Sequence, residues 1–299
     1  MPGKGKTMAR KNLKVHLLVV DPNKDFMGED DGTPLTETLN NGTAHVASLP
    51  VKGAVSDAKR GAALIDRVGH KLDDIHVTLD SHHTMHIAHP DMWQDDNGKQ
   101  PAPYTQIKAD DMKNGIWRAR NPGHQKRLYE YLIALQATGP FAFHTIWPPH
   151  CRIGTWGHNV QNDLEAALTQ WERKNMGVVD YVTKGSSVWT EHFGGLMAEV
   201  VDPNDPSTQL NAELVRTLQE ADILGVFGWA SSHCVKRTVE QVADNIGDEH
   251  VKKMILLTDC MSPVPAIPNV VDFPAIAAQF LKDMQARGMT LMKATEFLA

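Results

Sequence analysis

The sequence is short of what disulfide frameworks, nucleic-acid binders and membrane proteins need. Its three cysteines, Cys151, Cys234 and Cys260, cannot form a paired framework and none sits in a C-x-x-C pair, so reduced thiols are expected. No apolar run reaches the roughly 18 residues that a membrane span requires. A net charge of -6 and a pI near 6.2 leave no basic patch for nucleic acid, and Lys and Arg cluster only in the head "MPGKGKTMARKN". That head is expected to be a flexible tail over residues 1–12, and it lacks the apolar segment of a signal peptide. Its "GKGKT" lacks the leading glycine and preceding strand of a phosphate-binding loop. Internal repeats and low-complexity linkers are also missing. A soluble, cytoplasmic protein that binds neither nucleic acid nor membrane is the expectation.

What remains is the composition of an ordinary globular chain, 41% hydrophobic and 22% charged. Short runs rich in Val, Ile and Leu alternate with longer stretches of helical period, the pattern of an α/β protein. The candidate strands are "LKVHLLVV", "DIHVTL", "PFAFHTI", "GVVDYVT", "DILGVFG" and "VKKMILLT". Between them, "SDAKRGAALIDRVGHKL", "GHQKRLYEYLIALQAT", "VQNDLEAALTQWERKN", "STQLNAELVRTLQEA" and "CVKRTVEQVADN" read as amphipathic helices, and "FPAIAAQFLKDMQARG" closes the sheet. These elements predict a three-layer α/β/α architecture around a mostly parallel six-stranded sheet. The polar stretch "HPDMWQDDNGKQPAPYTQ" opens an excursion over residues 89–139 that only later offers a helix. Residues 13–299 therefore read as a single domain carrying this insertion, which would serve as a lid, a contact surface or a mobile segment.

In an open parallel sheet, ligands bind beyond the carboxyl ends of the strands. Reactive side chains follow the candidate strands here: Asp21 after "HLLVV", Asp80 after "IHVTL", His150 after "FAFHTIWPP", Lys184 after "VVDYVT" and Cys234 after "GVFGWASSH". Each has a plainer reading. Asp21 is either a turn cap or a proton acceptor facing a site. Lys184 is either a solvated lysine or an ammonium that stabilises a thiolate and later anions. Cys234 is either a small buried hydrophobe or a nucleophile in the first turn of a helix, where free N–H groups and the helix dipole lower a thiol pKa.

The 15 histidines concentrate between Ile75 and His158, in "HVTLDSHHTMHIAHP" and "HTIWPPHC". Asp80-x-His82, with His86 and the distant His150, offers the carboxylate and imidazole donors that suit zinc, iron or manganese. Structural or surface histidines are the alternative, and His83 and His89 share the stretch.

Together these motifs resemble the nicotinamidase branch of the isochorismatase-like cysteine hydrolases. "LLVVDPNKDF" is similar to the family's opening D-x-Q-x-D-F, and "ASLPVKGA" to the Gly-Ser-Leu-x-Val segment that follows it. "TLDSHHTMH" resembles the metal-binding segment, "WPPHCRIGT" the W-P-x-H-C-x-x-G-T motif, "VTKG" the Lys-Gly motif and "WASSHCVKRT" the nucleophile motif. The resemblance implies a Rossmann-like topology and an Asp21, Lys184, Cys234 catalytic triad. It also implies one divalent metal ion, zinc before iron or manganese, held by Asp80, His82 and His150, with His86 as a nearby or fourth ligand. A cis peptide at Trp229–Ala230 and an oxyanion hole from the backbone N–H groups of Ala230 and Cys234 follow from it as well. So do Phe26 and Trp147 as aromatic flanks of the substrate ring. The implied reaction is nicotinamide hydrolysis in NAD salvage, on a small-molecule amide and in a homo-oligomer. Departures from the family lie in Asn23, which replaces its Gln, and in "WTEHFGGL", where Trp189 or His192 would supply the pocket wall. They leave another small amide, such as pyrazinamide or a carbamoyl or ureido compound, as the alternative substrate.

Overall fold

The computed structural model describes residues 13–138, 143–267 and 271–299. The expected tail over residues 1–12 lies outside them. Among the described residues twelve strands run in chain order: β1 (Val15–Val20), β2 (Thr36–Thr38), β3 (Ala44–Val46), β4 (Asp74–Asp80), β5 (Trp93–Gln94), β6 (Gln106–Ile107), β7 (Arg118–Ala119), β8 (His144–Thr145), β9 (Asp180–Lys184), β10 (Ile223–Gly228), β11 (Met254–Leu257) and β12 (Thr290–Met292). The helices are α1 (Ala54–Val68), α2 (Ala109–Lys113), α3 (Gln125–Thr138), α4 (Asn162–Asn175), α5 (Ala212–Gln219), α6 (Cys234–Ile246), α7 (Asp248–Val251) and α8 (Phe273–Ala286).

The central sheet has six strands in the order β12-β11-β10-β1-β4-β9, and every pairing in it is parallel. All of β1 is buried, as the centre of a sheet covered on both faces requires, and its continuous apolar run follows from that. The chain first steps from β1 outward through β4 to β9, then returns to β10 and steps the other way to β12. Right-handed crossovers place the helices of the two directions on opposite faces. Helix α1 accordingly packs with α4, and α5 with α6. Helix α6 shows the cause in its sequence: Val235, Val239, Val242 and Ile246 recur at helical spacing and are buried. Side chains of Gln161, Asn211 and Asp272 cap α4, α5 and α8 by accepting from Leu164, Leu214 and Ala275 N–H groups. The direction of the chain reverses between β1 and β10, which makes the mouth beyond their carboxyl ends the switch point where ligands bind. Among the described residues no helix is long and apolar enough to cross a membrane.

One expected strand does not join this sheet. Of "PFAFHTI", only His144–Thr145 is extended, and it pairs antiparallel with Gln106–Ile107 in a separate ribbon; residues 139–142 lie outside the described chain. The sixth strand is instead β12, three residues after α8 that carry too little pattern to read. The apolar run around Ile146 finds its burial elsewhere. Ile87, Trp93, Ile107, Met112, Leu132 and Ile146 form a second apolar cluster apart from the main core. The excursion is thus a small packed unit of ribbons and helices, and helix α3 brings it against the site.

Candidate active site

Loops at the carboxyl ends of β1, β4, β9, β10 and β11 converge on one cavity. Its walls include Phe26, Asp80, His82, Trp147, His150 and Lys184, together with Glu191, His192, Ala230, His233 and Cys234. Asp21 lies directly beneath, fully buried, at the end of β1. Its backbone takes φ 49, the left-handed region that non-glycine residues seldom adopt, so the chain turns abruptly as it leaves the strand. Thr78 on neighbouring β4 fixes the turn: its carbonyl accepts from Asp21 N at 3.1 Å, and its hydroxyl donates to Asp21 Oδ1.

Lys184, at the end of β9, ties the two halves of the site together. Its Nζ lies 2.8 Å from Asp21 Oδ2 and 2.9 Å from Asp80 Oδ1, and it donates to the His192 carbonyl at 2.8 Å. The Cys234 Sγ is 3.8 Å from the same nitrogen. Burial pulls on the ammonium, but Asp21 and Asp80 hold its pKa well above the ordinary lysine value, so it stays charged. Gly185 follows with φ 83, and a Cβ there would come within 2.7 Å of His82 Cε1; only glycine lets this strand end pass the imidazole.

Cys234 opens α6, as expected, but the thiol is not acidic. Burial pushes its pKa well above the usual range, more than Lys184 draws it down. The helix start and ammonium therefore do not produce a resting thiolate, because the sulfur is only 7% exposed and desolvation outweighs them. A side-chain hydrogen bond links the thiol to Asp21 instead. Burial also raises the Asp21 carboxyl against the pull of Lys184, which makes Asp21 a stronger base than an exposed aspartate. The Trp229–Ala230 peptide ahead of the nucleophile loop is cis, as the resemblance implied.

The second group of residues fits a metal ion on the chemistry of its donors. His82 Nε2 and His150 Nε2 lie 2.9 and 3.2 Å from Asp80 Oδ2. The other nitrogen of each ring sits at hydrogen-bond distance from a backbone carbonyl, His82 Nδ1 from Gly185 at 3.0 Å and His150 Nδ1 from Pro148 at 2.8 Å. A carbonyl can only accept, so both Nδ1 atoms carry hydrogen, and each ring presents its Nε2 to the Asp80 carboxylate. One carboxylate oxygen and two imidazole nitrogens, gathered within 4.8 Å of one another in a buried spot, are a donor set that fits a divalent cation, and carbonyl-oriented imidazoles are the usual support of such a site. His86 stands beside this group, its ring centroid 4.2 Å from that of His82, with Nε2 unpartnered and Nδ1 accepting from Ala88 N. It is placed as a neighbour of the Asp80, His82, His150 group and is not part of it.

Phe26 and Trp147 both line the cavity, and the Phe26 ring sits 5.6 Å from that of His150. His192 lines it as well, its imidazole driven down to about 3 by burial and so neutral. Two expected pocket residues are elsewhere. Asn23 is fully buried below the cavity, where its side chain donates to the carbonyls of Asp80 and His158 and accepts from Asp80 N; it braces β1 against β4. Trp189 faces away, with the Arg127 guanidinium 4.2 Å above its ring and His124 against its edge, because the second apolar cluster claims it. If the chain hydrolyses an amide, as the sequence resemblance implies, Trp189→Ala should leave the KM for that substrate within about twofold of the parent value, measured by steady-state ammonia release.

Sequence reading passed over Glu191 and Asp25. Glu191 stands in the cavity wall and accepts from Trp147 Nε1 at 3.0 Å. Burial raises its carboxyl to about 8, so it is protonated at neutral pH. Helix α3 of the excursion supports it, since Tyr131 Oη accepts from Glu191 N. An acid held between Trp189 and Phe193 was the available signal. Asp25, in "DPNKDF", accepts from Ser48 N and from Cys151 N and so ties the first loop to the "WPPHC" loop.

No protein-family model and no curated protein sequence matches the chain. Solved structures do share its fold. The yeast nicotinamidase bound to the inhibitor nicotinaldehyde superposes with a TM-score of 0.60 at 18% identity, over 93% of this chain and 99% of that one. An Acinetobacter baumanii nicotinamidase and pyrazinamidase gives 0.55 at 16% identity, over 97% of this chain and 100% of the other. The pyrazinamidase of Pyrococcus horikoshii in complex with zinc gives 0.51 at 17% identity, over 94% and 99%. The chain therefore has the fold of nicotinamidases and pyrazinamidases.

Proposed function

We propose that the protein is a cysteine amidohydrolase of the isochorismatase-like superfamily, and that nicotinamide is its substrate. The observation that carries this reading is that Asp21, Lys184 and Cys234 meet at the cavity directly beside the Asp80, His82, His150 group, with Lys184 in contact with both Asp21 and Asp80. Such a cavity suits a flat ring with a carboxamide at one edge and an electron-pair donor at the other. Phe26 and Trp147 flank the ring.

Asp21 takes the Cys234 proton as the sulfur attacks the carboxamide carbon. The oxyanion is met by the N–H groups of Ala230 and Cys234. In support, the neighbouring amides of Ser231, His233 and Val235 are spent on the carbonyls of Ser262 and Ala230. A donor of this kind contributes about 3 to 4 kcal/mol to the transition state. The proton on Asp21 passes to the departing nitrogen, ammonia leaves, and a thioester remains on Cys234. Asp21 then takes a proton from water, the resulting hydroxyl adds to the thioester, and the acid is released as Cys234 recovers its proton. Lys184 stays charged throughout and holds Asp21 in place. A divalent ion on Asp80, His82 and His150, with His86 beside it, would supply a Lewis-acid anchor for the ring nitrogen.

Glu191 favours keeping a second substrate in view. A neutral carboxyl beside Trp147 adds a hydrogen-bond donor to the wall, which a pyrazine nitrogen or a ureido oxygen would use. Ammonia release measured across nicotinamide, pyrazinamide, benzamide and a carbamoyl compound decides between them. Highest kcat/KM on nicotinamide is expected; a carbamoyl compound ahead of both pyridine-like amides would overturn the choice.

Metal removal separates the thiol mechanism from a metal-hydroxide one. Stripping the ion should raise the KM for nicotinamide about 10- to 100-fold, while Cys234 still reacts with iodoacetamide. Conversely, alkylated enzyme should be inactive with its metal content unchanged; retained turnover would mean that the thiol is a bystander.

A further inference from the structure

We propose that Asp57 is a positioning residue for the nucleophile loop, acting from helix α1 through its Oδ2 atom. Asp57 is 3% exposed and lies outside the cavity wall. Its Oδ2 accepts from Trp229 Nε1 at 3.2 Å and from Ser262 N at 2.7 Å, while Oδ1 accepts from Arg60. The two Oδ2 donors belong to the two segments that make one side of the site. Trp229 immediately precedes Ala230. Ser262 returns a bond to the loop, its carbonyl accepting from Ser231 N at 3.1 Å. Ser232 Oγ completes the lacing by accepting from Val264 N at 3.1 Å, and Val264 is itself a wall residue. On the other side the loop is tied to β1, where Trp229 N donates to the Val20 carbonyl at 3.0 Å.

One carboxylate oxygen therefore joins α1 to both segments, and Ala230 and Cys234 sit within a few residues of those bonds. A buried oxygen with two donors cannot be removed without leaving an indole N–H and an amide N–H unpaired. They would seek new partners by moving the segments that carry them. Arg60 contributes differently: its guanidinium pairs with Oδ1 and donates to the Asp259 carbonyl, and its side chain is 45% exposed.

This assignment separates two substitutions that a merely structural role would treat alike. Asp57→Asn keeps a carbonyl oxygen for both loop donors and loses only the pairing with Arg60. Asp57→Ala loses all three bonds. The proposal rests on Cys234 being the nucleophile but not on which amide is hydrolysed. Two quantities are therefore measured on the full-length folded protein, kcat for ammonia release and the rate of Cys234 alkylation by iodoacetamide, read by peptide mass. Displacement of a reacting group by about 1 Å costs on the order of 100-fold. Asp57→Ala should lower kcat about 10- to 100-fold and change the alkylation rate at least about threefold, with Asp57→Asn within about threefold of the parent in both. Asp57→Ala with parental kcat and alkylation rate per folded molecule would overturn the proposal, as would Asp57→Asn as impaired as Asp57→Ala. Should the parent release no ammonia from any amide, the functional reading falls. The alkylation rates would still test Asp57.

Discussion

If the proposed function holds, Cys234→Ala should abolish ammonia release from nicotinamide and leave the metal content and the fold unchanged. The expected loss is about 10⁴-fold or more, because removing the nucleophile of a triad leaves only the binding and oxyanion contributions. Nothing in the geometry offers a substitute. Cys151 is buried with a thiol that burial and nearby carboxylates hold well above the usual range, and its amide is committed to Asp25. Cys260 lies outside the cavity wall, beside Asp259, and burial pushes its thiol well above the usual range, so it is inert. Cys234→Ser is the sharper variant. A serine hydroxyl fits the space but gives up its proton far less readily than a thiol, and Asp21, the carboxylate bonded to the thiol, is the base that would have to take it. It should be nearly as inactive as the alanine variant. Substantial turnover by either one, with nicotinamide as substrate and metal confirmed by elemental analysis, would remove the thioester from the mechanism.

Sequence was a good guide to the site wherever a strand end delivers a side chain. Asp21, Asp80, Lys184 and Cys234 all follow strands of the central sheet, and parallel topology gathers such ends on one edge. His150 reaches the cavity by a different route, after a two-residue strand of a separate ribbon and not from an end of the central sheet. Pocket walls were less legible. Trp189 and His192 are neighbours in a loop without period, and whether a ring faces the cavity or the excursion depends on which apolar cluster reaches it first. The thiol pKa was misjudged for a related reason: a helix start is visible in sequence, whereas the depth at which it lies is not. Asp57 illustrates the limit. Its role comes from contacts more than a hundred positions away, at Trp229 and Ser262, and nothing local in "AVSDAKRG" announces it.

Lys184→Met strikes activity and stability together. The ammonium lies between Asp21 and Asp80 at 2.8 and 2.9 Å with 2% of its surface exposed, so methionine leaves two buried carboxylates without their counter-ion. Breaking a buried pair from one side costs about 3 to 5 kcal/mol. For a chain of this size that corresponds to a fall in Tm of roughly 5 to 8 °C, measurable by thermal scanning. The pH dependence follows from the sign of the shifts. Lys184 has a raised folded pKa, so its contribution is fully present below the unfolded lysine value of about 10.4 and fades only as pH rises through the folded one. Without it, burial lifts Asp21 further. A carboxyl raised on folding penalises the folded state when ionised, so the Tm deficit of the variant should shrink as pH falls from 8 towards 5. The chemistry suffers for the same reason. A protonated Asp21 cannot take the Cys234 proton, and the thiolate formed during attack loses its neighbouring charge; kcat should drop about 100-fold or more. A variant with parental Tm and kcat would show that the buried ammonium neither holds the carboxylates together nor supports the thiol.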